Sequence, residues 1–422
     1  MKITLLNQCF YPDVVATGQY LTDLALGLVE RGHEVTVISS DRGYDNSQLQ
    51  FVRRERWQGI EVIRLPSLAL GKKTRWRRAV SFAALLGAYL LRLVLMPRQD
   101  VVVALTSPPL IAFIAALFVK IKGGRLVYWI MDLNPDEAVA AGWLREQALL
   151  TRLLHAVQNF ALRQADPVVA LDRFMSERIA QKGIAEDRLR VIALWPLDDD
   201  VRFDRAGRDS FRLTHGLSNK FVVMHSGNHS PCHPLNTLLA AADQLSRNQE
   251  IVFCFVGGGS ELAKVREFAS SRRLENIVCL PYQPRSEIAA SLSAADLHVV
   301  IMGEPFVGII HPCKIYNVLK VGAPFLYIGP GDAHVTDIIS QRSGELTAYA
   351  AEHGDADRVT RNILAAKAHQ KFVRTPPSTE SLSGGLMKLI EIVETPYRLT
   401  PANDAVAAAT AAAPGGGAVA RP

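Results

Sequence analysis

The chain lacks several features that would assign it a class at a glance. Its five cysteines, Cys9, Cys232, Cys254, Cys279 and Cys313, form no CxxC pair and are odd in number. This argues against a disulfide framework, and free thiols in a reducing cytosol are the plain reading. Cys9, Cys254 and Cys279 sit in or beside apolar strand-like runs, where such thiols pack as small hydrophobes. No secretory leader is expected, because the short apolar start MKITLL runs into a Tyr-Pro-Asp turn without a small-residue cleavage site. No complete GxGxxG follows the first strand, which argues against a dinucleotide cofactor. The basic run KKTRWRR at 72–78 is not interleaved with stacking aromatics and adjoins an apolar stretch, which disfavours nucleic acid as a partner.

What is present is the composition of a globular protein, 49% apolar and 21% charged. At 422 residues the chain exceeds one ordinary core, so two domains are expected. Lys and Arg outnumber Asp and Glu by 47 to 41, a net charge of +6, which favours an anionic partner: a nucleotide, a nucleic acid or an anionic lipid surface.

The first half alternates apolar strands with helical spacing. Residues 2–6 form a strand and 11–18 a turn-rich loop; 19–30 form a helix with Leu21, Leu24, Ala25 and Leu28 on one face, and 34–39 a second strand. This is a βαβ unit, hence the start of a parallel sheet. Gly18 in the loop either lets a ligand approach the backbone or serves close helix–strand packing; both stay open. After a strand at 60–65 come five basic residues within 72–78, around Trp76, and then a mostly apolar span of 18 residues at 79–96 that contains Arg92. A central Arg costs roughly 2.5–3.5 kcal/mol on membrane insertion. The segment is readable as a span, as a buried helix, or as a helix partly sunk in a membrane surface. Strands at 101–105 and 126–130 flank a helix at 110–122, so the alternation continues and the surface reading is preferred. Asp132 follows at the carboxyl end of a strand, where ligands of open α/β sheets bind; a turn or helix-cap aspartate is the alternative. A helix at 145–163, a strand at 167–171, a helix at 172–182 and a strand at 190–193 follow, and 198–216 read as a linker.

A second α/β pattern begins at 221. One strand ends in Ser226-Gly227-Asn228 and another in Gly257-Gly258-Gly259. The stretch 302–330 holds a Gly- and Pro-broken loop, a short helical run with Lys314 and Asn317, and a Gly-Ala-Pro turn into a strand. A loop that opens a helix directs backbone N–H groups and the positive dipole end outward, and Lys314 adds a full charge, so this reads as a diphosphate site. A last helix falls at 384–394. Residues 400–422 are Ala/Gly/Pro-rich and read as a disordered tail.

The stretches FYPDVVATGQYLTDLALGLVERGHEVTVIS, LTSPPLIAFIAALF, LVYWIMDLNPD, VVMHSGNHSPCHPLNTLLAAADQL, VFCFVGGGSELAKV and HPCKIYNVLKVGAPFLYIG resemble the GT-B glycosyltransferases of family 4, in the branch that builds bacterial surface polysaccharides. The resemblance implies two Rossmann-like domains facing a cleft. Residues 1–200 would bind the acceptor, together with a crossover helix at about 384–397, and 201–383 would bind the donor. It implies transfer with retention from a UDP- or GDP-sugar to a polyprenyl-diphosphate-linked or other lipid-linked saccharide. No obligatory metal and no cofactor are implied, and the place would be the cytoplasmic face of the plasma membrane. Carried over by position, Lys314 would be the leaving-group cation and Asp132 the group accepting or orienting the acceptor proton. Gly18, Gly227, Asn228, His233, Gly257, Gly258, Glu304 and Asn317 would touch the donor. Lys72, Lys73, Arg75, Trp76, Arg77 and Arg78 would touch anionic lipid. The family's glutamate pair is absent: its positions hold Ile309 and Asn317, with Glu304 out of register. Its first-loop Arg and Lys are represented by Asn228 and His233, and the frequent histidine before Asp132 is Met131. The alternatives are a GT-B UDP-sugar 2-epimerase and a non-catalytic sugar-nucleotide-binding protein.

Overall fold

Continuous Val/Ile/Leu runs such as 101–104 leave no polar face, so they form strands only where helices cover both sides of a parallel sheet. The computed structural model, which describes residues 1–44, 46, 48–68, 75–195, 201–369 and 380–395, contains two such sheets. The N-terminal domain comprises β1 (Lys2–Leu6), α1 (Ala16–Glu30), β2 (Glu34–Ser40), β3 (Arg54–Trp57), β4 (Ile60–Leu65), α2 (Arg75–Val94), β5 (Val101–Ala104), α3 (Ile111–Lys122), β6 (Arg125–Trp129), α4 (Asp136–Ala140), α5 (Leu149–Gln164), β7 (Val168–Ala170), α6 (Arg173–Gln181) and β8 (Leu189–Val191). Its strand order is β3-β4-β2-β1-β5-β6-β7-β8, parallel except for β3 against β4.

The C-terminal domain comprises α7 (Arg205–Thr214), β9 (Phe221–Asn228), α8 (Asn236–Gln244), β10 (Ile251–Gly258), α9 (Leu262–Arg272), β11 (Ile277–Leu280), α10 (Ile288–Ser293), β12 (Leu297–Ile301), α11 (Lys314–Lys320), β13 (Phe325–Ile328), α12 (His334–Gln341), β14 (Ala348–Ala351) and α13 (Ala356–Ala368). Its parallel order β11-β10-β9-β12-β13-β14 reverses direction between β9 and β12. The N-terminal sheet reverses in the same way between β1 and β5. In open α/β sheets the crevice at such a switch point, outside the carboxyl ends of the strands, is where ligands bind.

The last helix, α14 (Glu380–Glu394), lies on the N-terminal domain. Leu389, Ile390 and Val393 are buried, and a Cβ on Gly27 of α1 would come within 2.6 Å of Ile390 Cδ1, so glycine permits the close approach. Arg125 donates to the Ile392 and Val393 carbonyls, placing its cation at the negative end of the helix.

Three details differ from the sequence reading. The strand β3 is absent from the sequence reading; it is a short charged edge segment held by pairing with β4. The supposed linker contains α7, capped by Asp204 and tied to the C-terminal domain by Arg208 and Arg212 on Asp296. Residues 334–368 supply α12, β14 and α13, none of them anticipated. In agreement with that reading, no helix among the described residues is long and apolar enough to cross a membrane, and residues 79–94 lie in α2 of the α/β layer. The supposed tail at 400–422 lies outside the described residues.

Candidate functional site

The carboxyl end of β9 carries Ser226 and Gly227, and the chain then turns back over the sheet. β9 and β10 stay paired to their tips, with Gly227 opposite Gly257 and Asn228 opposite Gly258. This tight rim needs glycine. Gly257 has φ +131°, and a Cβ there would lie 2.1 Å from the Gly227 carbonyl oxygen. Beside the rim is a cavity of about 200 Å³, lined among others by Ser226, Gly227, Tyr282, Ser291, Lys314 and Asn317.

Lys314 opens α11, and its ammonium enters this space; a Cβ on Gly227 would be 3.6 Å from Nζ. Its hydrogen-bond partner is His225 Nε2 at 3.4 Å, and among the described residues no carboxylate pairs with it. Burial draws the Lys314 pKa down from 10.5 to about 8, with Cys232 and Cys313 opposing. The cation is therefore held with little compensation.

Three histidines surround it. His225 Nδ1 lies 2.9 Å from the Val299 carbonyl, His229 Nδ1 3.1 Å from that of Gly258, and His233 Nδ1 2.7 Å from that of Ile301. Those carbonyls assign the proton to Nδ1 in each ring and leave Nε2 as an acceptor. Burial, and after it the Lys314 charge, hold His225 and His233 well below the usual histidine range. Burial likewise takes His229 to about 4. All three are neutral at neutral pH.

Asp132 approaches from the other domain. It pairs with Ile310 as an isolated antiparallel bridge, and its neighbour Leu133 donates to the Ile309 carbonyl at 2.9 Å. Burial and the nearby Glu137 raise its carboxyl from 3.8 to about 7. Its charge reaches Cys232 and Cys313, the same thiols that act on Lys314, so the acid and the cation converge on one region. It does not cap the following helix: α4 has Pro135 at its N-cap and no side-chain cap bond.

The other expected positions divide. Gly227, Gly257, Gly258, Asn228 and Asn317 lie at the rim or in the cavity. His233 is 7% exposed behind the rim, which rules out a loop histidine in water. Gly18 is inside α1, its N–H on the Val15 carbonyl at 2.9 Å and its Cβ position 3.2 Å from Cys9 Cβ. It serves close helix packing, and its amide is not available to a ligand. Glu304 is exposed on a 3₁₀ turn (Glu304–Phe306) next to α4 and does not line the cavity. In the basic segment Arg77 is exposed on α2; Lys72, Lys73 and the side chains of Arg75, Trp76 and Arg78 lie outside the described residues.

A second cluster joins the domains. Asp172, at the N-cap of α6, accepts from Met175 N and lies 2.8 Å from His311 Nδ1; His311 Nε2 is 2.8 Å from the Tyr316 hydroxyl, which is 3.1 Å from His334 Nε2. Burial pushes the Asp172 carboxyl up, but the His311 contacts outweigh it and leave it below the ordinary value. Asp172, His311 and His334 each offer a ligand atom within 4.8 Å of the others, the one grouping among the described residues that could hold a metal. Both His311 nitrogens already have partners, so hydrogen bonding satisfies the cluster as it stands. Neither this cluster nor the His225 contact was legible in the sequence, where Asp172 only opened the helical pattern at 172–182.

Residues 16–195 match the glycosyl transferase 4-like domain, and residues 208–306 match glycosyl transferases group 1, between them most of the chain. The putative colanic acid biosynthesis glycosyl transferase WcaI of Escherichia coli (strain K12) is 25% identical over 335 residues, covering 76% of this chain and 82% of that one. The probable glycosyltransferase WbjE of Pseudomonas aeruginosa is 26% identical over 58% of this chain and 61% of its own. Sucrose-phosphate synthase from Thermosynechococcus elongatus superposes with a TM-score of 0.70 at 15% identity, over 92% of this chain and 97% of that one. Anabaena HepE, solved in complex with UDP and glucose, gives 0.62 at 17% identity, over 98% and 100%.

Proposed function

The chain belongs to the GT-B glycosyltransferases of family 4, and on that premise we propose that it transfers a sugar, with retention, from a UDP- or GDP-sugar to a lipid-linked saccharide in surface-polysaccharide synthesis. The observation that carries the donor assignment is Lys314: a half-buried ammonium without a carboxylate partner among the described residues, at the mouth of a glycine-walled cavity. A cation so placed gains most when an anion arrives. HepE in complex with UDP supports a nucleoside diphosphate as that anion.

Cleavage of the bond between the anomeric carbon and the diphosphate sends the electron pair to phosphate oxygen and leaves positive charge on the sugar. Lys314 meets the developing negative charge on the leaving group. The acceptor hydroxyl attacks from the face the diphosphate leaves, and its proton passes to Asp132 or, with Asp132 orienting the hydroxyl, to the departing phosphate oxygen. A carboxyl with a pKa of about 7 is partly in the base form at neutral pH. The epimerase alternative requires carboxylates and histidines converging on the sugar. Histidines do converge here, but they are buried and committed to backbone carbonyls, so that reading gains nothing.

For the acceptor, the helices α2, α3 and α5 pack side by side and leave large apolar side chains exposed on or next to them: Leu91 is 64%, Leu95 70%, Ile121 78% and Leu149 80% exposed. Arg77, Lys120, Lys122 and Arg152 are exposed on the same helices. Exposed apolar side chains and cations on one layer of helices suit the interface of an anionic membrane, where a lipid-linked acceptor resides. The test of the donor assignment is a thermal-shift panel of UDP, GDP and their sugars on the full chain. A nucleoside diphosphate raises the melting temperature; no shift with any of them refutes the assignment.

A further inference from the structure

The loop between β12 and α11 carries Lys314 into the cavity, yet much of its support comes from the other domain. The Val307 carbonyl accepts from Arg178 Nε at 2.8 Å. Gly308, at φ +71°, lies so close to α6 that a Cβ would be 2.6 Å from the Phe174 carbonyl oxygen. The Ile309 carbonyl accepts from Leu133 N. His311 meets Asp172, with the two side chains 0% and 3% exposed.

We propose that Asp172 and His311 are the positioning pair of the donor site: a carboxylate of the N-terminal domain that, through one imidazole, sets where Lys314 stands. The inference rests on the reading of Lys314 as the diphosphate cation. Its basis is the bonding of His311. One oxygen of Asp172 is taken by Met175 N, and the other accepts from His311 Nδ1–H. His311 Nε2 then accepts from the Tyr316 hydroxyl, whose oxygen accepts from His334 Nε2–H. Tyr316 is on α11, two residues beyond Lys314. One imidazole thus grips the N-terminal domain with one nitrogen and the helix of Lys314 with the other. Pro312, with its fixed φ, stiffens the short path from His311 to Lys314. The cation is in place only when the domains are docked, and the cleft side of the acceptor domain is bound into the donor pocket.

The test is UDP binding to the full chain by calorimetry. Asp172→Ser keeps a hydroxyl for the Met175 cap but is too short for His311, and Tyr316→Phe releases the other nitrogen. Each is expected to weaken UDP by about tenfold. Arg173→Ala removes the exposed interdomain pairs with Asp332 and Asp337 without touching the loop, and is expected to bind like the parent. In the Lys314→Met background Asp172→Ser is expected to change nothing further, because its effect runs through the missing cation. Parent-like UDP affinity in both Asp172→Ser and Tyr316→Phe, or an undiminished Asp172→Ser effect in the Lys314→Met background, overturns the positioning role. A parent chain that binds neither UDP, GDP nor pyrophosphate overturns instead the reading of the site beneath it.

Discussion

Replacing Lys314 by methionine is expected to move two measurements in opposite directions. The side chain keeps its length and loses its charge. In the parent, burial lowers the ammonium from 10.5 to about 8, which corresponds to a cost of roughly 3 kcal/mol for keeping it charged at neutral pH. Methionine removes that cost, so the nucleotide-free variant is expected to melt roughly 1–3 °C higher. The same change removes the cation that faces the diphosphate. A hydrogen bond to a charged group is worth about 1.5–3 kcal/mol, so UDP affinity is expected to fall roughly 10- to 150-fold. The pH dependence has a definite sign. A bound anion favours the protonated amine, so parent affinity is high below about pH 8 and declines as pH rises through it. The variant is expected to show no such decline above about pH 7, where a terminal phosphate is already ionised. Calorimetric titration with UDP across this range, with melting curves of the free protein, reads both effects. A variant that melts lower and binds UDP like the parent would falsify the placement of an uncompensated cation in this cavity.

Asp132→Asn is expected to leave UDP affinity unchanged and to reduce turnover by about 10²–10⁴-fold, measured as sugar transfer; parent-like turnover removes Asp132 from the proton step. Its carboxyl titrates higher in the fold, at about 7 against 3.8, so the ionised form is the disfavoured one and stability falls as pH rises through that window. Asn at this site is therefore expected to raise the melting temperature more at pH 8 than at pH 5. Gly257→Ala places a Cβ 2.1 Å from the Gly227 oxygen in a left-handed backbone, and a lower melting temperature with loss of UDP binding is expected. Normal melting and binding in that variant would show that the rim is not rigid. Leu91→Gln with Leu95→Gln is expected to reduce pelleting with anionic vesicles and to leave melting unchanged; undiminished pelleting speaks against the apolar face.

The alternation of strands and helices was legible in the sequence because each element is a local property. Runs such as VVVA at 101–104, and helical spacing such as Leu21, Leu24 and Leu28, depend on neighbours within a few residues. The glycine turns at Gly227 and Gly257 and the loop before Lys314 were readable for the same reason: a sharp turn at the end of a buried strand has few alternatives. Where several strands end at one sheet edge, the candidate diphosphate site follows from chain order alone. Elements whose stability comes from partners were not legible. The edge strand β3 is RERW, polar throughout, and exists because β4 offers it a ladder. The helix α7 lies in a charged stretch and is fixed by Asp204 and by Asp296, far along the chain. Gly18 could serve a ligand or a helix contact until the distance to Cys9 decided it.

The electrostatics belong wholly to the tertiary structure. A lysine in a sequence is a cation in water; Lys314 at about 8 is the result of burial. His225, His229 and His233 are separated by four residues each, but their neutrality and their fixed tautomers come from the carbonyls of Val299, Gly258 and Ile301. Asp172 and His311 stand 139 positions apart and meet because the two domains dock. Local sequence determined which strands, turns and glycines would form a crevice. Only the packing of distant segments decided which charges that crevice holds and in what state, because desolvation and pairing depend on what folds over a group and not on what precedes it.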